Sequence, residues 1–125
     1  HRHAGSSVTF ITGHELVDQR RPSVKWKSLA QASDSLVIYM GLHNLEYIVS
    51  SLLSGGMDSN IPAVVIQQAT VVGQNFIKAP LHKLVQEVRQ KNLSSPSIVV
   101  IGRIVDYQVT SCAPSPANVT MPIPF

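Results

Sequence analysis

Ser35-Leu36-Val37-Ile38-Tyr39-Met40 is an unbroken apolar run behind a serine, closed by Gly41-Leu42. The run is too short for a self-standing helix, and the β-branched Val37 and Ile38 beside Tyr39 favour a pleated backbone. A strand without polar alternation is the kind buried on both faces, in a sheet sandwiched by helices. Directly after it, Leu45, Ile48, Val49 and Leu52 recur at three- and four-residue spacing, which predicts an amphipathic helix over 44–53. Gly55-Gly56 ends that helix and Asp58-Ser59-Asn60 extends the loop. Strand followed by helix at these lengths is the unit of an α/β fold.

The same alternation extends both ways along the chain. Upstream, Ser7-Val8-Thr9-Phe10-Ile11-Thr12 reads as a strand closed by Gly13, 15–23 as a polar loop, and 24–31 as a two-turn helix capped by Ser23. Downstream, Pro62 opens a strand over 63–68, and 74–78 predicts a shorter one. Pro80 stands where a helix over 81–90 begins, since its missing N–H costs nothing there. A fifth strand covers 97–101 and is expected to continue past Gly102 through Val105. Two successive strands without an intervening helix make the sheet mixed. The expectation is one α/β domain over 1–106, a mixed five-stranded sheet flanked by helices. Residues 107–125 hold four prolines and no periodicity, which predicts a Pro-rich extended or disordered tail.

Bulk properties narrow the function. With 44% hydrophobic and 14% charged residues, the chain is neither disordered nor membrane-spanning, because its longest apolar runs are far too short to cross a bilayer. No basic start leads into an apolar stretch, so no secretory leader is expected, and a cytoplasmic or organelle-stroma location fits. A single cysteine, Cys112, excludes an internal disulfide and a cysteine-based zinc site. The histidines lack metal-like spacing, so no metal is expected. The net charge of +3 is scattered and has few aromatics beside it, which argues against nucleic acid and suits a small substrate carrying many carboxylates.

Several residues sit where an α/β sheet collects ligands, beyond the carboxyl ends of its strands. Gly41 permits close backbone approach after the second strand, and Met40 offers an adaptable thioether. Ala69 follows the third strand, where a small residue serves either backbone hydrogen bonding to a ligand or tight packing. Arg2 and His14 are polar groups suited to carboxylates, and are equally a terminal residue and a strand-capping loop residue. No arrangement of residues argues a catalytic nucleophile, acid or base.

Taken in order, a set of blocks resembles the tetrapyrrole methylase family along nearly the whole folded region. They are His1-Arg2, Ser7-Val8-Thr9-Phe10-Ile11-Thr12-Gly13-His14, Trp26-Lys27-Ser28-Leu29-Ala30 and Leu36-Val37-Ile38-Tyr39-Met40-Gly41-Leu42. Pro62 to Val65 with Ala69-Thr70, Gln74, and Ser95-Pro96-Ser97-Ile98-Val99-Val100-Ile101-Gly102-Arg103-Ile104-Val105 complete the set. The chain departs from the pattern at Gln67-Gln68, where a glutamate is common, and at Ala79-Pro80-Leu81, where Gly-Thr-Leu is usual.

The resemblance implies the C-terminal half of an S-adenosylmethionine-dependent methyltransferase, and the Phe-Ile-Thr-Gly-His block implies uroporphyrinogen III as substrate, in sirohaem or cobalamin biosynthesis. It implies cofactor contacts from Met40, Ala69, Tyr39 and Gly41, and substrate contacts from Arg2, His14 and Met40. It further implies a homodimer, and a separate N-terminal domain of the same chain bearing Gly-rich cofactor-binding segments, without which residues 1–125 should be inactive. The alternatives are another member of the superfamily, a precorrin methylase or diphthine synthase, and a non-catalytic α/β binding or dimerisation module.

Overall fold

A computed structural model describes residues 5–13, 24–67, 75–94 and 96–107. In chain order the elements are β1 (Val8–Thr12), α1 (Trp26–Ala32), β2 (Ser35–Tyr39), α2 (Leu45–Ser54), β3 (Pro62–Gln67), β4 (Asn75–Pro80), α3 (Leu81–Lys91), β5 (Ser97–Gly102) and a 3-10 helix, Arg103–Tyr107. The five strands form one sheet in the order β1-β2-β5-β3-β4. Only β1 and β2 pair in parallel, while β5 runs antiparallel between β2 and β3, and β3 with β4 forms a hairpin. The mixed five-stranded α/β sheet is the one the sequence predicts.

The period of two along each strand sorts its side chains between the two faces. Ile11, Ile38, Val99, Val65 and Ile77 lie side by side across the sheet, and so do Leu36, Ile101, Ala63 and Ala79. All are buried in one cluster with Trp26, Leu45, Ile48, Leu52, Leu81, Leu84 and Val88 from the helices. The amphipathic stripe of α2 therefore finds its partner here, and truncating the fully buried Leu52 to alanine would cost about 2–5 kcal/mol.

The opposite face departs from expectation. It carries Phe10, Val37, Val100 and Val64 in one row and Tyr39, Ile98, Ile66 and Phe76 in the next, yet Phe10 is 67% exposed and Phe76 51%. The described helices pack on one side of the sheet, so the unbroken apolar run of β2 is buried on one face and partly open on the other.

Element boundaries differ in three places for local reasons. β5 stops at Gly102 instead of continuing to Val105, because Gly102 turns at φ +144° with the Asp34 carbonyl oxygen 2.7 Å from where a Cβ would sit. The chain then enters the 3-10 helix, with Val105 buried. β4 is six residues long, not a short strand over 74–78, because every residue of β3 pairs in the hairpin up to Pro62 opposite Pro80. Helix α1 begins at Trp26 with Lys25 at its N-cap position, and the expected cap Ser23 lies outside the described residues. Arg2, His14, Ala69 and the segment 108–125 also lie outside them.

Candidate functional site

The register places the carboxyl ends of three strands at one edge of the sheet. Thr12 of β1 pairs with Tyr39 of β2, and the row continues through Ile98 of β5 to Ile66 of β3, one residue before Gln67 ends that strand. β5 begins at this edge, at Ser97 between β2 and β3, and ligands of α/β sheets collect beyond the carboxyl ends of their strands. His14 directly follows Gly13, and Ala69 follows Gln67-Gln68. The strands leading to His14, Met40 and Ala69 therefore converge, although only Met40 is itself described.

The β1 and β2 ends are locked together by backbone contacts. The Gly13 N–H donates to the Tyr39 carbonyl at 2.6 Å, extending the parallel ladder by one step. The Asn44 side-chain amide donates to the Gly13 carbonyl at 2.9 Å, and the Asn44 N–H donates to the Gly41 carbonyl at 3.2 Å. Gly13 and Gly41 face each other so closely that a Cβ on Gly13 would lie 2.6 Å from the Gly41 Cα. Gly13 is thus required by its approach to Gly41, while a Cβ on the buried Gly41 would lie 2.8 Å from Ile38 Cγ2.

Met40 sits between these locks with a left-handed backbone, φ +55°, and its side chain is 59% exposed. A non-glycine residue in that region is sparsely populated and costs about 1–3 kcal/mol, so it persists only where its surroundings impose it. Here the impositions are the Tyr39 and Gly41 carbonyls, each already committed to a hydrogen bond. The result is a flexible thioether held out at the edge rather than packed into the core. Tyr39 contributes its carbonyl to the lock, while its ring lies on the open sheet face, stacked on Phe10 at 6.4 Å between centroids.

Beside this edge, the amino end of α2 and the carboxyl end of α3 enclose a groove of about 500 Å³. Leu42, Leu45, Val85 and Val88 supply apolar lining, His43 joins them, and Arg89 Nη2 bonds Glu46 Oε2 at 2.7 Å across the rim. Sequence reasoning missed this groove, whose signal was the Leu42-His43 pair next to the glycine turn. No group of metal ligands occurs among the described residues. Asp34 lies at the far end of β1 and β2. Backbone N–H donation from Ser6, with smaller help from Ser7, holds its carboxyl below the usual range. The described part of the site edge offers shape, backbone dipoles and a thioether, which suit positioning of a ligand.

No family model matches the chain. Over 107 residues it is 40% identical to a uroporphyrinogen-III C-methyltransferase of Bacillus subtilis (strain 168), covering 86% of this chain and 41% of that protein. Over 105 residues it is 39% identical to siroheme synthase 2 of Aeromonas hydrophila subsp. hydrophila, covering 84% of this chain and 22% of that one. Among solved structures it is similar to the uroporphyrin-III C-methyl transferase of Thermus thermophilus complexed with S-adenyl homocysteine, at TM-score 0.69 and 19% identity, covering 86% of this chain and 46% of that one. The mixed five-stranded α/β fold is therefore one that this methyltransferase structure also contains. By its sequence the chain is similar to uroporphyrinogen-III C-methyltransferases, and it spans less than half the length of these relatives.

Proposed function

We propose that this chain supplies the C-terminal half of an S-adenosylmethionine-dependent uroporphyrinogen-III C-methyltransferase. The observation that carries the reading is Met40, strained and exposed at the edge where β1, β2 and β3 end. S-adenosylmethionine is a small amphipathic ligand, and this edge offers it a polarisable side chain beside backbone groups. Uroporphyrinogen III carries eight carboxylates, for which Arg2 and His14 are the substrate-facing candidates and a basic chain is a favourable partner. Ala69, Tyr39 and Gly41 complete the proposed cofactor contacts. When bound, the sulfonium cofactor supplies an electrophilic methyl group. The residues here orient that group and exclude water, and the separate N-terminal domain completes the cleft. The similarity to a siroheme synthase favours the sirohaem branch. The working protein is proposed to be a homodimer, cytoplasmic or in an organelle stroma, and residues 1–125 alone to be inactive.

Met40→Ala in a longer protein containing this chain tests the reading. The side chain is mostly exposed, so its removal should leave the melting temperature within about 2 °C, as for surface substitutions. Lost contact with the ligand should weaken S-adenosylhomocysteine binding by about 1–2 kcal/mol, roughly tenfold, in calorimetric titration. An unchanged affinity with a lowered melting temperature would make Met40 a packing residue and remove the support for this site. Robust methyl transfer by residues 1–125 alone would overturn the half-enzyme reading.

A further inference from the structure

The groove between α2 and α3 is a cavity that the proposed cofactor contacts leave unused. Leu42, which lines it, lies two residues beyond Met40, and the Asn44 N–H on the Gly41 carbonyl holds the turn that joins them. The groove and the strand-end edge are therefore neighbouring parts of one surface. Its volume of about 500 Å³ is within the range of small-molecule sites. Leu45 and Val88 are buried there and Leu42 and Val85 half-buried, which makes the floor apolar. Charge is confined to the rim, where Glu46 and Arg89 are exposed, and His43 is exposed with them.

That rim already holds one carboxylate. Glu46, in the first turn of α2, and Arg89, in the last turn of α3, meet at 2.7 Å with side chains 71% and 68% exposed. A pair this open adds little to stability, so an incoming carboxylate can take the place of Glu46 at small cost. Arg89 carries five N–H donors in a planar fork matched to carboxylate, and among the described residues only Nη2 is engaged. The His43 side chain lines the same groove and makes no hydrogen bond among those residues.

We propose that this groove receives one pyrrole ring of the tetrapyrrole substrate, and that Glu46 occupies Arg89 until a carboxylate of that ring displaces it. The inference rests on the methyltransferase reading, which makes uroporphyrinogen III the substrate, and adds where one of its rings is held. Each pyrrole of that molecule is a flat apolar ring bearing an acetate and a propionate. The ring matches the leucine and valine floor, one arm reaches the Arg89 fork, and the other meets the His43 imidazole. Arg89 and His43 thereby fix how the macrocycle lies against the edge at Met40. They determine specificity and take no part in the chemistry.

Steady-state kinetics in a longer protein containing this chain tests the proposal. Arg89→Gln should raise KM for uroporphyrinogen III by roughly fivefold to tenfold, the loss of a charge-assisted contact, with kcat nearly unchanged. His43→Ala should raise it by roughly twofold to fivefold, the loss of a single hydrogen bond. Glu46→Gln should lower KM by roughly twofold, because it removes the competing carboxylate and leaves Arg89 in place. Calorimetric titration with S-adenosylhomocysteine should give the parent affinity in all three variants. Their melting temperatures should stay within about 2 °C of the parent, as for exposed positions. A merely structural ion pair is lost equally from either side, so it would not shift KM in opposite directions. Unchanged KM in any of these variants, or a rise in Glu46→Gln, would overturn the proposal. Weaker S-adenosylhomocysteine binding in Arg89→Gln would also overturn it, since the cofactor's carboxylate would then occupy the groove. Those failures leave the methyltransferase reading standing where the parent methylates uroporphyrinogen III. A parent that neither does so nor binds S-adenosylhomocysteine would remove both.

Discussion

Replacing Gly13 by alanine should destabilise the protein, even though glycine-to-alanine changes at ordinary backbone angles usually do the reverse. Gly13 is not among the residues with positive φ, so alanine can adopt its backbone conformation, and the unfolded chain would lose freedom worth about 0.4–1 kcal/mol in its favour. Against this stands the space. The new methyl carbon would lie 2.6 Å from the Gly41 Cα and 2.9 Å from Ile38 Cγ2, whereas carbon atoms pack best at about 3.5–4.0 Å. The first neighbour is backbone and cannot rotate away. The second is the core residue Ile38, with 0% of its surface exposed. One of the two strand ends must therefore move by roughly an ångström, in a region where packing is dense.

Overpacking of this type costs about 1–3 kcal/mol. Subtracting the unfolded-state gain leaves a net loss of about 1–2 kcal/mol, which at this chain length lowers the melting temperature by roughly 3–8 °C. Differential scanning calorimetry on Gly13→Ala and the parent decides the matter. Gly56→Ala serves as the comparison, because nothing lies within 4 Å of its added carbon and any loss there arises from its φ of +97° alone. A Gly13→Ala protein that melts at or above the parent temperature would refute the close-approach argument, and with it the mechanism that holds Met40 in place.

The other expectations concern single hydrogen bonds and one carboxylate. Asn44→Ala removes the donor to the Gly13 carbonyl and should cost about 1 kcal/mol by urea unfolding, while Asn44→Asp should cost more by setting a carboxylate against that oxygen. Ser97 is 6% exposed and its hydroxyl has no hydrogen-bond partner among the described residues, so Ser97→Ala should raise stability by about 1 kcal/mol in the same assay. Asp34 has a folded-state pKa below its unfolded value, which is near 3.9, so its stabilisation is fully present above about pH 4 and fades as pH falls through the folded pKa. Asp34→Asn should therefore flatten the acid-side loss of the urea midpoint below pH 4, and an unchanged slope there would contradict the Ser6 and Ser7 donor arrangement.

What could be read from residues alone follows the range of each interaction. Periodicity is local, so the amphipathic stripes of α2 and α3 and the apolar runs of β2 and β5 were legible. The end of β5 was not, because it depends on Gly102 meeting Asp34, a residue 68 positions away. An apolar run also says that a strand has partners on its faces without saying which partners, and β2 has helices on one face only. At the site, the sequence marked Met40 and Gly41 as a strand end, but not that a Cβ on Gly41 would meet Ile38 Cγ2 at 2.8 Å, nor that parallel pairing of β1 with β2 sets Gly13 against the Gly41 backbone. Between Tyr39 and Gly41, whose carbonyls each accept a backbone hydrogen bond, Met40 takes the left-handed conformation and exposes its side chain at the edge. A β-branched residue at position 40 would meet a steeper penalty in that backbone region, whereas unbranched methionine tolerates it and still supplies a polarisable contact.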